Sequence, residues 1–504
     1  MKEFVLRRFF HRLFAMDIFS SLPTNFLTLV LFGLIFLSVF VLLFRLRRTE
    51  YILYFLLVWF PLESVVLKYT PIEYYSIAKY LPEVFLYGLF AGSCIMYLLR
   101  KGRVLAESPL NKWFIAIVLV SLVSWILNQY SGAIWVLGLR QTLRFALVFF
   151  VVLHLQYEKS VVRRCLQIGL GVMLFEALLG TMQYLTGGAI DPWLFATDTV
   201  AVGGGALVGG AEQFWAPGTR VFATLGRYDR LGSILALGLV LLFPYFLKYR
   251  TQLFSLWLCM GLLSVGLLLT RSRASWIAAF VGIVVIGIFI LKDKWVKHWS
   301  ILLVVGVCMY TGIFAALGGQ GTQVVDQPNQ NLSERILEAV SLRSWRESYE
   351  GYGRIFFIIN TPVHVFHTAP FFGVGAGNFG GGVASSLVNT LAYEKLKLPF
   401  GIQNQFGQID NSWFSILGEL GIFGLLVWVG LFVSLAKLAF FVYKKESDLS
   451  LLALGLCGAT VGIAIMGFFG PYFEFRTLMY YFWLTVGLVL LDYQKENKKG
   501  NLLE

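Results

Sequence analysis

The residues best suited to chemistry are arginines gathered at a few connections between apolar stretches. RVFATLGRYDRLG (220–232) carries Arg220, Arg227 and Arg230, TRSRASW (270–276) carries Arg271 and Arg273, and YEGYGRIFFIIN (349–360) carries Arg354. A guanidinium presents a planar fork of donors that matches phosphate oxygens and stays charged at any relevant pH. Asp410 opens the stretch DNSWFSILGELGIFGLLVW (410–428). A carboxylate there either caps the following helix or accepts a proton from a hydroxyl. Glu419, deeper in the same stretch, is a second polar contact. For each arginine the plainer alternative is pairing with Asp229, a loop carboxylate or lipid headgroups.

Other groups carry weaker signals. Arg140 and Arg144 lie one turn apart inside VLGLRQTLRFALVFF and share a helix face. That face must line the protein interior or a wet cavity, with Glu176 as a partner or an anionic substrate headgroup as a ligand. His364 and His367 stand at i, i+3 after Thr361-Pro362, which reads as a helix start. The pair lacks an HExxH and a third ligand, so packing, hydrogen bonding or contact with an acceptor is preferred to a metal site. SERILEAVSLRSW (333–345) reads as a helix capped by Ser333. Residues 375–380 spell G-x-G-x-x-G, but no strand–turn–helix pattern surrounds them, so a dinucleotide site is excluded. These glycines instead suit a backbone packed closely against a membrane surface or a glycan.

The elements that position these residues are membrane spans. Of 504 residues 58% are hydrophobic and only 14% charged, far from a soluble composition. Apolar runs long enough to cross a bilayer fall at about 25–44, 51–68, 81–99, 113–129, 132–153, 163–186, 230–247, 252–270, 274–291, 299–317, 412–436, 449–469 and 476–492. The expected fold is therefore an all-α polytopic membrane protein of about 12–13 transmembrane helices. It divides into an N-terminal bundle (1–317, with a loop at about 187–229), a large, partly helical loop (318–411) between the tenth and eleventh spans, and C-terminal helices with a tail (412–504).

Charge orients the spans. RLRR (45–48), EKSVVRR (158–164), KDKWVK (292–297), KK (444–445) and the tail KENKK (495–499) mark one side as cytoplasmic, and they account for the formal charge of +13 without nucleic acid. The loop 318–411 carries six Lys/Arg against seven Asp/Glu and falls on the outer side with the arginines. Thirteen spans with an inner C-terminus put the basic N-terminal stretch outside, so either it is an amphipathic surface helix or one span is re-entrant; the short apolar patch after it, broken by Asp17, makes no cleavable leader. All five cysteines lie in or at the start of apolar spans, which excludes a disulfide framework.

LLLTRSRASWIAAFVG (267–282), the GVGAGNF segment (373–379) in a large outer loop, and DNSWFSILGELGIFGLL (410–426) together resemble the O-antigen ligase/polymerase superfamily. RVFATLGRYDRLG looks like a degraded form of that family's arginine-containing region, and the resemblance covers roughly residues 130–440. It implies a metal-independent glycosyltransferase that uses an undecaprenyl-diphosphate-linked glycan at the outer face of the cytoplasmic membrane. Arg227 and Arg271 with Asp410 would be catalytic; Arg220, Arg230, Arg273 and Arg354 would bind the substrate. Asp410-Asn411 stands where ligases carry His-Asn, which tilts the expectation to a polymerase, with a chain-length regulator as partner. Ligation to a lipid or protein acceptor, transport of an anionic lipid-linked solute and cell-wall glycan polymerisation are the alternatives. Transporters commonly show inverted repeats, none of which is evident here.

Overall fold

A computed structural model describes residues 38, 40–194, 200–202, 205–207, 215–316 and 325–500. The N-terminal amphipathic segment and most of the first expected span lie outside them. The described chain begins with α1 (Glu50–Tyr69), α2 (Ile72–Lys101), α3 (Asn111–Asn128), α4 (Gly132–Leu143), α5 (Leu147–Leu155) and α6 (Lys159–Leu185). A two-stranded antiparallel ribbon (Val200–Val202 with Gly205–Leu207) precedes α7 (Tyr228–Tyr249), α8 (Phe254–Leu269), α9 (Arg273–Val284) and α10 (Lys294–Ala316). Then come α11 (Leu332–Glu338), α12 (Leu342–Glu350), α13 (Arg354–Thr368), α14 (Ser412–Lys444), α15 (Ser450–Met466) and α16 (Arg476–Gly500).

Among the described residues nine helices are long and apolar enough to cross a membrane, and α8 and α15 are shorter apolar helices. This is an all-α polytopic membrane fold. Hydrocarbon offers no water to an unpaired backbone group, so helices are the form these apolar runs must take. Every span expected from residue 51 onward coincides with a described helix. The fourth of these is interrupted by a 3₁₀ turn at Arg144–Ala146.

Small residues bring the central helices together. An added Cβ at Gly458 of α15 would lie 2.7 Å from the Gly282 carbonyl of α9, and one at Gly462 would lie 2.8 Å from that of Ala278. Close backbone approach of this kind replaces the hydrophobic effect as a packing force in lipid. Aromatic rings fill the α3–α5–α16 contact, with Phe114 and Trp483 at 5.4 Å between centroids.

The decisive local feature is a break in α14. Gly421 has φ 66° and ψ −163°, a region open almost only to glycine, and the helix ladder stops there. The segment Pro370–Gly375 fills the gap. Val374 and Gly375 donate to the carbonyls of Gly418 and Glu419 at 2.9 Å each, while Ile422 and Phe423 donate to Pro370 and Phe371 at 2.8 and 3.2 Å. Gly377 donates to the Glu419 carboxylate at 2.9 Å. The glycines therefore pack against the protein's own helices: a Cβ at Gly377 would meet the Ile134 carbonyl at 2.8 Å. This corrects the expectation that they face a membrane surface or glycan.

Two helix starts also differ from expectation. Pro362 sits inside α13, which begins at Arg354 after Gly353. Phe357, Thr361 and Val365, spaced by four, form a buried stripe that carries the helix through the lost hydrogen bond. Ser333 is no cap: Asn331 caps α11 in a reciprocal box with Glu334, and Ser341 starts a separate helix, α12.

The break predicts a local sensitivity. Gly421→Ala places a Cβ 2.4 Å from the Phe371 carbonyl in a disfavoured backbone region. It should cost about 2–3 kcal/mol, read as a lowered thermal midpoint in detergent. Gly312→Ala on α10, with nothing within 4 Å of its Cβ, should leave the midpoint unchanged or slightly raised. Equal midpoints for the two variants would contradict the role given to the break.

Candidate functional site

At the end of the bundle where α7 starts, five connections meet. Arg227 precedes α7 and grips Asp229 with two hydrogen bonds, at 3.2 and 3.0 Å, while 41% of its side chain stays exposed. The Asp229 carboxylate, with a smaller contribution from Asp410, raises the Arg227 pKa against the opposing effect of burial. Arg230, on the first turn of α7, is exposed and lies over the Phe475 ring at 5.9 Å.

The turn between α8 and α9 presents Arg271 and Arg273. Arg271 adopts a left-handed backbone, φ 54°, and donates to the Gln330 carbonyl. Its own carbonyl accepts from Arg335 at 3.2 Å. Arg273 pairs with Glu338 at 2.8 Å, and Arg335 pairs with both Glu338 and Asp326, the latter at 3.3 Å. Arg220 is buried to 1% exposure, bonded to Asp326 and 3.3 Å from Gln330. Three arginines therefore share the carboxylates of Asp326 and Glu338, and Arg271 joins them through the Gln330 carbonyl. Burial would raise the Asp326 pKa, but Arg335 and Arg220 hold it below the usual carboxylate value. Burial lowers that of Arg271.

Asp410 stands just before α14 and acts electrostatically on Arg227. It lies 3.5 Å from Arg354, and both side chains remain accessible, at 40% and 33%. It does not cap the helix that follows. Asn411 does, accepting from Phe414 at 3.0 Å and donating to the Phe468 carbonyl at 3.0 Å. Ser412 donates to the Gly467 carbonyl at 2.7 Å, which fastens this corner to the end of α15. The capping reading of Asp410 is thereby corrected: its oxygens are left for another partner. Buried Tyr472 joins the two halves, bonded to Ser272 and interacting with Asp229, Arg354 and Tyr228; burial pushes its phenol pKa up.

Arg140 and Arg144 belong to a neighbouring network, and Glu176 is not their partner. Both bond Glu83, Arg140 through Nε at 3.0 Å and Arg144 at 2.9 Å, and Arg140 also donates to Tyr87. Arg476 bridges Glu83 at 2.6 Å and Glu63. Glu176 instead accepts from the backbone and hydroxyl of Thr224. A cavity of about 80 Å³ beside the network is lined by Glu63, Arg230, Glu474 and Arg476 among others. Burial pushes the Glu474 carboxyl up to about 7, against the Gly382 amide it accepts from. His364 is half-buried and His367 exposed on α13. Among the described residues no group of three or more His, Cys, Asp or Glu could hold a metal ion.

The sequence reading missed Arg335, Tyr472, Arg476 and Glu83. Glu83 and Arg476 carried a usable signal, since ionisable residues within or at the mouth of apolar spans demand partners. Arg335 and Tyr472 carried none, because only the fold brings them to the arginines.

Two outcomes follow from the geometry. Asn411→Ala removes a cap and should lower stability by about 1–2 kcal/mol, whereas Asp410→Asn should change it by less than about 0.5 kcal/mol. Thermal midpoints that move together would contradict this division of roles. Glu474 titrates higher folded than unfolded, so the folded state holds the extra proton between its ordinary value and about 7. Stability should be greatest below that window and fall as pH rises through it. Glu474→Gln should flatten this slope, and an unchanged slope would exclude Glu474 as its source.

Residues 258–429, about a third of the chain, match a family model described as O-antigen ligase. The matched segment holds Arg271, Arg273, Arg335, Arg354, the glycine loop, Asp410 and the break in α14. A comparison with curated proteins finds no match.

Proposed function

We propose that the chain, whose residues 258–429 match the O-antigen ligase family model, acts as a member of that superfamily and polymerises glycan from an undecaprenyl-diphosphate carrier at the outer face of the cytoplasmic membrane. The observation that carries this reading is Asp410, relieved of capping by Asn411 and set between Arg354 and the field of Arg227. The basic connections lie at the opposite end of the bundle, which supports an outward-facing site.

In the proposed reaction a sugar hydroxyl of the acceptor attacks the anomeric carbon of the donor glycan. A new C–O bond forms, the bond to the diphosphate breaks, and its electron pair leaves with the phosphate oxygen. The hydroxyl proton passes to Asp410. Arg227 and Arg271 stabilise charge developing on the diphosphate, assisted by Arg354 and Arg273, and the step asks for no metal. Arg220 and Arg335 hold α11 and the Arg271 turn in position. The bonds of Arg140 and Arg144 to Glu83 support a structural role for that pair. His364 and His367 stand roughly three turns along α13 from Arg354, and the proposal gives them no part in the transfer.

The polymerase reading rests on the Asp410-Asn411 pair, with the acceptor a second carrier-linked repeat and a chain-length regulator as partner. Cells lacking the gene, complemented at matched membrane expression, test it. The deletion should leave single repeat units on the gel; Arg227→Ala should cut polymer formation by on the order of 100-fold and Asp410→Ala should fail to restore the ladder. Polymer accumulating on the carrier would identify a ligase instead. An unaltered surface glycan in every strain would refute transfer and favour a transporter.

A further inference from the structure

The site lies deeper than a surface loop would place it. Helix α3 is a candidate span of 18 residues, ~27 Å long and barely enough to cross a hydrocarbon layer of roughly 30 Å. Both its ends must therefore lie at the borders of that layer. Near one end Trp113 donates to Ser434 of α14 at 2.7 Å. At the other, Asn128 donates to the Gly373 carbonyl at 3.0 Å and Ser124 donates to that of Phe372. The glycine loop and the part of α14 from its break to Ser434 thus fall within the layer.

Helix α13 shares this depth. It begins at Arg354, against Asp410, and ends before Pro370, which accepts from Ile422 just past the break. Three residues after Asp410, the Trp413 ring packs 5.4 Å from Phe432. Phe432 lies roughly 15 Å below Gly421 along α14. Helix α13 therefore climbs from that deeper level to the border. Its outward face is apolar: Ile359, Val363 and Phe366, at i, i+4 and i+7, are each about half exposed. This face continues into Phe371, stacked on Phe423 at 5.8 Å, and into exposed Leu426 on the bare flank of α14. The returning backbone, residues 373–381, is entirely buried, as irregular backbone at membrane depth has to be.

We infer that residues 354–381 form a re-entrant membrane element, in which Ile359, Val363 and Phe366 contact the acyl chains of the leaflet at the site end. Arg354 and Asp410 then lie below the membrane border, and a lipid-borne substrate reaches them from the side of the bundle. The re-entrant placement stands apart from the transfer chemistry, whereas lateral arrival of a lipid-borne substrate rests on the proposed function.

Spin labels test it in the full chain. The five native cysteines are replaced by alanine, and single cysteines are placed at Ile359, Val363, Phe366, Leu426 and Gln405. The labelled proteins are reconstituted in vesicles of phosphatidylethanolamine and phosphatidylglycerol. Collision with oxygen and with a water-soluble nickel chelate is then compared. Labels at 359, 363 and 366 should match the one at Leu426, with oxygen dominant, while Gln405, exposed in the loop, reports the chelate. Labels on α13 that behave like Gln405 would overturn the inference. The exposed positions chosen leave packing intact, and three independent sites guard against one misfolded variant.

Discussion

Everything at the site end depends on how a broken helix satisfies its backbone at membrane depth. The break at Gly421 frees carbonyls at 418 and 419 and amides at 422 and 423, and lipid can bond none of them. Residues 370–375 bond all four, and Gly377 satisfies Glu419 as well. Because the first arm of α14 turns at that point, Trp413 comes to lie against Phe432 and Phe473. Asn411 then faces the end of α15, and Asp410 faces away from its own helix. A carboxylate that would ordinarily cap is released for chemistry by a glycine nine residues beyond Asn411's helix start at Ser412.

Electrostatics sets the second constraint. Arg220, Arg271, Arg273 and Arg335 crowd around Asp326, Glu338 and backbone carbonyls, while Arg227 and Arg354 stay half-open beside Asp410. Guanidinium groups packed this closely repel one another, and each added anion relieves several of them at once. Arg271 and Arg273 are fixed by their bonds to Gln330 and Glu338, and Arg227 by its bonds to Asp229, so none needs to reorganise when charge develops. The bonds from Arg140, Arg144 and Arg476 to Glu83, with Glu63 as a second carboxylate on Arg476, make this network a strut between α2, α4 and α16.

Much of this was legible in the sequence, for physical reasons. Spans announce themselves through long apolar runs, and the arginines at 227, 271 and 354 stood out because charge at such connections is costly unless used. Other features were not legible. The stretch ELGIFG reads as one helix, since a glycine that breaks a ladder looks like one that packs within it. The cap fell on Asn411 rather than Asp410 because that choice is set by contacts with α15. Pro362 sits inside α13, where buried Phe357 and Val365 outweigh the missing amide. The partner of Arg140 and Arg144 was misread because Glu83 is distant in sequence and only packing brings it near.

The account turns on Asp410 acting in transfer without supporting the fold. The direct measurement is glycan extension by purified protein in vesicles supplied with a polyprenyl-diphosphate-linked repeat, comparing wild type with Asp410→Asn. A loss of roughly 100-fold or more in rate, with the same thermal midpoint and the same retention of carrier lipid, is the predicted result. Extension at the wild-type rate by Asp410→Asn would contradict the assignment of Asp410 as the acceptor of the hydroxyl proton.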